Sequence, residues 1–97
     1  MIIYIDIDET ICESPPDRDY SKAIPILANI AKANKLYEEE NTIVYWTARG
    51  TVSGIDWYDL TKQQLIDWGV KFHDLKLGKP YYDLFIDDKN MNTRDWI

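Results

Sequence analysis

The sequence is short of several things: it holds one cysteine, one histidine, four glycines and four prolines in 97 residues. A single thiol, Cys12, cannot close an internal disulfide, so a reducing, cytoplasmic setting is expected. A single histidine, His73, has no companion at metal-ligand spacing and is expected to be a packed or surface residue. No apolar run approaches the roughly 20 residues of a membrane-spanning helix, so no membrane partner is expected. Residues 1–5 have neither the basic start nor the apolar length of a secretion signal. Positive charge is also scarce: 11 basic residues stand against 17 acidic ones, a net charge of −6. That field opposes non-specific binding to nucleic acid and favours cations, metal ions included.

What remains is rich in apolar and aromatic side chains, 45% hydrophobic with four Trp and seven Tyr, which is enough for one core. No repeat, linker or low-complexity tract divides the chain, so a single domain over residues 1–97 is expected. Residues 2–6 read as a buried strand, with four consecutive apolar residues, three of them β-branched. Residues 12–22 read as a loop, because Pro15 and Pro16 exclude regular structure there. Pro25 suits the first turn of a helix whose apolar face is Ile26, Ile30, Ala33 and Tyr37. Residues 42–47 read as a second buried strand. Asp56 then caps a second helix with Trp57, Thr61, Gln64, Leu65 and Trp68 on one face, and Gly69 stands where a left-handed C-terminal residue belongs. A weaker strand over 71–75 and a fourth over 83–87 complete the pattern.

That order predicts an open parallel α/β sheet, a minimal Rossmann-like fold, with its ligand site beyond the carboxyl ends of the strands. The unusual residues fall there. Asp6 and Asp8 leave the first strand, Thr47 ends the second, Lys79 follows the third, and Asp87 and Asp88 end the fourth. Carboxylates of Asp6, Asp8, Asp87 and Asp88 converging on one point need a cation, and Mg²⁺ takes a few carboxylates together with water and phosphate oxygens. Thr47 and Lys79 add a hydroxyl and a point charge suited to a phosphate dianion. Asp6 is then placed as a nucleophile on phosphorus and Asp8 as general acid and base. Arg49, two residues past Thr47, is open to two readings: contact with a substrate anion, or pairing with a nearby acid. "GTVSG", residues 50–54, is no phosphate loop, since no Gly-Lys-Ser/Thr follows.

With these residues in view, the chain resembles the phosphatases of the haloacid dehalogenase superfamily. "IDIDETI" is similar to their first motif, with Asp6 as nucleophile, Asp8 as acid/base and Thr10 as the motif threonine. "IVYWT" resembles the second motif at Thr47, "LGKP" the third at Lys79, and "LFIDD" the fourth at Asp87 and Asp88. The resemblance implies an aspartyl-phosphate on Asp6 and Mg²⁺ held by Asp6, the backbone carbonyl of Asp8 and the acids at 87 and 88. Three features depart from the pattern. Glu9 replaces the usual glycine, and neither inter-motif segment is long enough for a cap domain, which implies a capless member. The chain also stops nine residues after Asp88, so one sheet edge is expected to rely on a partner copy in a homo-oligomer. The function expected is a Mg²⁺-dependent phosphomonoester hydrolase acting on a small phosphorylated metabolite such as a sugar phosphate. The competing readings are a phosphate- or metal-binding module without catalysis, and a phosphatase of nucleic acid ends or phosphoproteins.

Overall fold

The apolar run at the start of the chain forms β1 (Ile2–Ile5) in the computed structural model, which describes residues 1–96. Its in-and-out alternation continues past the strand: Ile5 and Ile7 are buried, while Asp6 and Asp8 between and after them are only partly covered. A period of two therefore puts both carboxylates on the side away from the core.

A two-residue antiparallel ribbon follows, β2 (Cys12–Glu13) and β3 (Ile24–Pro25), pairing Cys12 with Pro25 and Glu13 with Ile24. Pro25 is thus in a strand and not in the first turn of a helix, as its sequence context suggested. The cause is the next residue. Ile26 is extended, at φ −97° and ψ 92°, and its N–H donates to the Ile11 carbonyl at 2.8 Å. Helix α1 (Leu27–Glu38) starts after it and buries Ile30 and Ala33, with Leu36 and Tyr37 against the core.

β4 (Thr42–Trp46) pairs in parallel with β1, from Ile2 opposite Thr42 to Ile5 opposite Tyr45. Ile43, Val44 and Tyr45 are consecutive and all buried, as expected of a central strand covered on both faces. Helix α2 (Tyr58–Asp67) buries Thr61 and Leu65, and Asp56 Oδ1 accepts the Tyr58 N–H at 3.0 Å at its start. Gly69 ends it as expected, at φ +71°, with its N–H on Ile66 O at 3.1 Å and the Val70 N–H on Leu65 O at 2.9 Å. β5 (Asp74–Lys76) pairs in parallel with β4, from Val44 opposite Asp74 to Trp46 opposite Lys76. It begins later than the sequence suggested because His73 uses its ring there. Its Nδ1 accepts the Ile43 N–H at 3.0 Å, and the ring stacks on Tyr37 at 4.7 Å.

The result is a small α/β fold: a three-stranded parallel sheet in the order β1-β4-β5, with two helices packed into one core. No helix among the described residues is long and apolar enough to cross a membrane.

The fourth strand expected over 83–87 does not form. Residues 81–92 are exposed throughout, Leu84 at 74% and Ile86 at 87%. Three apolar residues flanked by Asp83, Asp87 and Asp88 bury little. Parallel pairing beside β1 would also carry Asp87 and Asp88 toward Asp6 and Asp8, where like charges repel. The chain instead runs over the surface and returns at Trp96, which packs on the core and accepts a hydrogen bond from Lys32 Nζ at 2.8 Å. Among the described residues the outer edge of β1 has no strand partner.

One core group is unsatisfied among the described residues. Tyr45 is fully buried beside Phe72, and its Oη has no hydrogen-bond partner. An orphaned buried hydroxyl costs about 1–3 kcal/mol, so Tyr45→Phe should stabilise the fold by about 1 kcal/mol. Urea denaturation measures this, and a loss of that size would show that the hydroxyl is partnered.

Candidate active site

The turn that leaves β1 shapes the site. Ile7 and Ile11 are both fully buried, and the Ile11 N–H donates to Ile7 O at 2.9 Å. The segment is thereby folded back on the core while its acids face out. The turn requires a positive φ at Glu9, 64°, a conformation costing a residue with a side chain about 1–2 kcal/mol. Glu9 offsets part of this by accepting hydrogen bonds from the Ser14 hydroxyl and, at 3.1 Å, from the Ser14 N–H. Thr10, the threonine of the first motif, is buried. Its Oγ1 shares a hydrogen bond with Thr93 Oγ1 at 2.8 Å, and its carbonyl accepts from Asn29 Nδ2 at 2.8 Å.

Asp6, Asp8, Thr47 and Lys79 line one cleft of about 1100 Å³, so the structure brings together four residues of the expected site. Lys79 Nζ stands 3.6 Å from Asp6 Oδ1 and lies over the rings of Trp46 and Tyr82. Thr47 holds the loop that carries it, since the Lys79 N–H donates to Thr47 O at 3.1 Å. The Thr47 hydroxyl accepts the Arg49 N–H at 3.1 Å, which leaves its own proton free to donate. Burial pushes the Asp6 carboxyl above its ordinary range, against the opposing pull of Lys79.

Arg49 settles between its two readings. Its side chain is fully buried and forks onto Asp8, with Nη2 2.8 Å from Oδ1 and Nε 2.9 Å from Oδ2. It pairs with an acid. The loop after it turns at Gly50, at φ +80°, where an added Cβ would lie 2.1 Å from the Ile55 carbonyl oxygen, so only glycine fits. Cys12 is a core thiol: burial, with Asp8 beside it, pushes its pKa up to about 12. That leaves no thiolate at neutral pH.

Asp87 and Asp88 are not brought into the site with Asp8. Both are exposed on the segment beyond Pro80, and Asp87 lines a neighbouring groove together with Asp6 and Lys79. Among the described residues no group of three or more His, Cys, Asp or Glu side chains could hold a metal ion. Among the described residues the four carboxylates of the expected Mg²⁺ set, Asp6, Asp8, Asp87 and Asp88, are therefore not gathered at one point. The strand that would deliver the last two does not form, and the Asp8 side chain pairs with Arg49, a pairing that does not involve its backbone carbonyl.

Sequence reasoning missed three residues that hold the site. Thr61 and Gln64 of α2 bind Arg49, and Tyr20 lies beneath it. The signal was present on α2, where two polar residues interrupt an otherwise apolar face. Arg18, Trp57 and Tyr81 also line the cleft.

Because burial favours the protonated form of Asp6, folding takes up a proton between the ordinary value of 3.8 and the raised folded one. Stability contributed by this group is present at low pH and is lost as pH rises through the folded pKa. Asp6→Asn should therefore raise Tm at pH 7, with the difference shrinking toward pH 3.5 and below. Thermal melts across that range decide it, and a variant less stable than the parent at pH 7 contradicts the assignment.

No family model matches the chain, and no curated protein matches it. Among solved structures it is similar to the crystal structure of an MCSG target from Vibrio cholerae. The TM-score is 0.88 at 21% sequence identity, over 98% of this chain and 85% of that one. A likeness at that identity shows the fold alone.

Proposed function

We propose that the chain is a phosphomonoester hydrolase that works through an aspartyl-phosphate on Asp6, as a capless member of the haloacid dehalogenase superfamily. One observation carries this reading. Two carboxylates leave the same strand on one side into one cleft, and each stands beside a different cation, Asp6 with Lys79 and Asp8 with Arg49. Two carboxylates in unlike surroundings suit two unlike tasks.

In the first half-reaction an Asp6 oxygen attacks phosphorus and the bond from phosphorus to the ester oxygen breaks. The departing oxygen takes a proton from the Asp8 carboxyl. In the second, the Asp8 carboxylate removes a proton from water as the water oxygen attacks phosphorus. The bond from phosphorus to Asp6 then breaks, releasing phosphate and restoring both acids. Lys79 supplies positive charge and Thr47 a hydroxyl donor for the phosphoryl oxygens.

A small phosphorylated metabolite, such as a sugar phosphate, suits the cleft. Its volume admits a ring-sized group, and Trp57 and Tyr81 offer apolar faces beside it. A net charge of −6 opposes polyanions such as nucleic acid ends. The free buried thiol of Cys12 suits a cytoplasmic setting, and the open edge of β1 suits a homo-oligomer. The unassembled metal set favours a second reading, a phosphate-binding module that performs no chemistry.

A screen of phosphorylated metabolites, with and without Mg²⁺, separates the two. The hydrolase reading expects phosphate release from at least one sugar phosphate and its loss in Asp6→Asn. It also expects kcat/KM at least tenfold above that for a 3′-phosphorylated oligonucleotide or a phosphopeptide, about 1.4 kcal/mol in transition-state binding. Binding of sugar phosphates without turnover in either condition would establish the module instead.

A further inference from the structure

We propose that Arg49 is a positioning residue that fixes Asp8 for proton transfer and leaves Asp8 Oδ2 as the oxygen that handles the proton. The proposal rests on the reading of Asp6 as nucleophile and Asp8 as acid/base. Arg49 Nε donates to Asp8 Oδ2 at 2.9 Å, and Nη2 donates to Asp8 Oδ1 at 2.8 Å and to Cys12 Sγ at 3.6 Å. Nη1 donates to Gln64 Oε1 at 2.6 Å and to Thr61 Oγ1 at 3.1 Å. A guanidinium has five N–H groups, and each of them has a partner here. None is left for a substrate.

The acceptors on Asp8 are used unequally. Oδ1 receives Nη2, a second, longer contact from Nε at 3.2 Å, and the Cys12 thiol at 3.4 Å. Among the described residues Oδ2 receives Nε alone. A carboxylate oxygen offers about two lone-pair directions, so Oδ1 is full and Oδ2 keeps one open. The Asp8 side chain retains 18% exposure while that of Arg49 has none, so the carboxylate sits at the cleft and the guanidinium behind it.

The frame behind Arg49 is fixed in turn. The Tyr20 ring lies 4.6 Å from the guanidinium carbon and meets Trp57 edge-on at 5.2 Å, while Gln64 Nε2 donates to the Tyr20 carbonyl at 2.6 Å. Four segments of chain therefore converge to set one carboxylate's orientation. A fully buried guanidinium is a poor way to gain stability alone, since its desolvation cancels much of the attraction. It is a good way to hold a proton-transfer group within the narrow tolerance that catalysis needs.

The test uses Arg49→Lys, which keeps the charge and loses the fork. Turnover is measured on aryl and alkyl phosphates spanning a range of leaving-group basicity, beside Asp6→Asn and Asp8→Asn. Misaiming Asp8 should lower kcat by up to about 10²-fold on the most basic leaving groups and much less on the least basic. Arg49→Lys should add little further loss on top of Asp8→Asn, because both act through one carboxylate. Gln64→Met, which frees one guanidinium N–H and keeps Arg49, should show the same leaving-group pattern more weakly, and serves if the lysine variant does not fold. A raised KM with kcat and the leaving-group dependence unchanged would make Arg49 a substrate contact and overturn the proposal. So would a loss equal across all leaving groups and multiplicative with that of Asp8→Asn. Turnover retained in Asp6→Asn is a separate failure, of the underlying hydrolase reading.

Discussion

Repulsion between carboxylates at the exit of β1 is the constraint on which the site is built. Asp6 and Asp8 stand two residues apart on the same side of an alternating chain, and Glu9 lines the same cleft. The structure answers this charge by division. Lys79, carried on the loop after β5, stands against Asp6, and Arg49, carried on the loop after β4, takes Asp8. The parallel sheet thus delivers its charges to one edge, two acids after β1 and one cation after each of β4 and β5. The helices that make the sheet parallel also contribute, since α2 presents Thr61 and Gln64 to the back of the guanidinium.

The same constraint explains where the chain is strained and where it is exposed. Turning sharply enough to keep Ile7 and Ile11 in the core puts Glu9 in a left-handed conformation that glycine would adopt freely, and the Ser14 contacts hold it there. The sharp loop at Gly50 lets Arg49 reach back under Tyr20. Two cations answer two acids, and the further acids at 83, 87 and 88 lie out on the surface.

Much of this is legible in the residues, and the boundary of legibility is physical. Strands 2–6 and 42–47 are marked by apolar, β-branched runs, and Gly69 by its place after an amphipathic face, because these signals report local burial and backbone freedom. The gathering of Asp6, Asp8, Thr47 and Lys79 follows from topology, since parallel strands send all their exits to one edge. Pro25 was misleading because a proline's fixed φ suits an extended residue as well as a helix start. The run at 83–87 was misleading because pattern alone does not weigh the acids it would bring beside others. Arg49 could not be resolved from sequence. Its choice between a substrate and an acid depends on Thr61, Gln64 and Tyr20, which only the fold brings to it.

The most direct test of the central claim, covalent phosphoryl transfer to Asp6, is to look for the intermediate. Protein is mixed with an aryl phosphate, quenched in acid within one turnover, digested and weighed peptide by peptide. The peptide containing Asp6 should gain the mass of one phosphoryl group, with more of it in Asp8→Asn, where the water-activating base is gone, and none in Asp6→Asn. Turnover by the unaltered protein with the phosphoryl group on another peptide, or with phosphate release undiminished in Asp6→Asn, would contradict it.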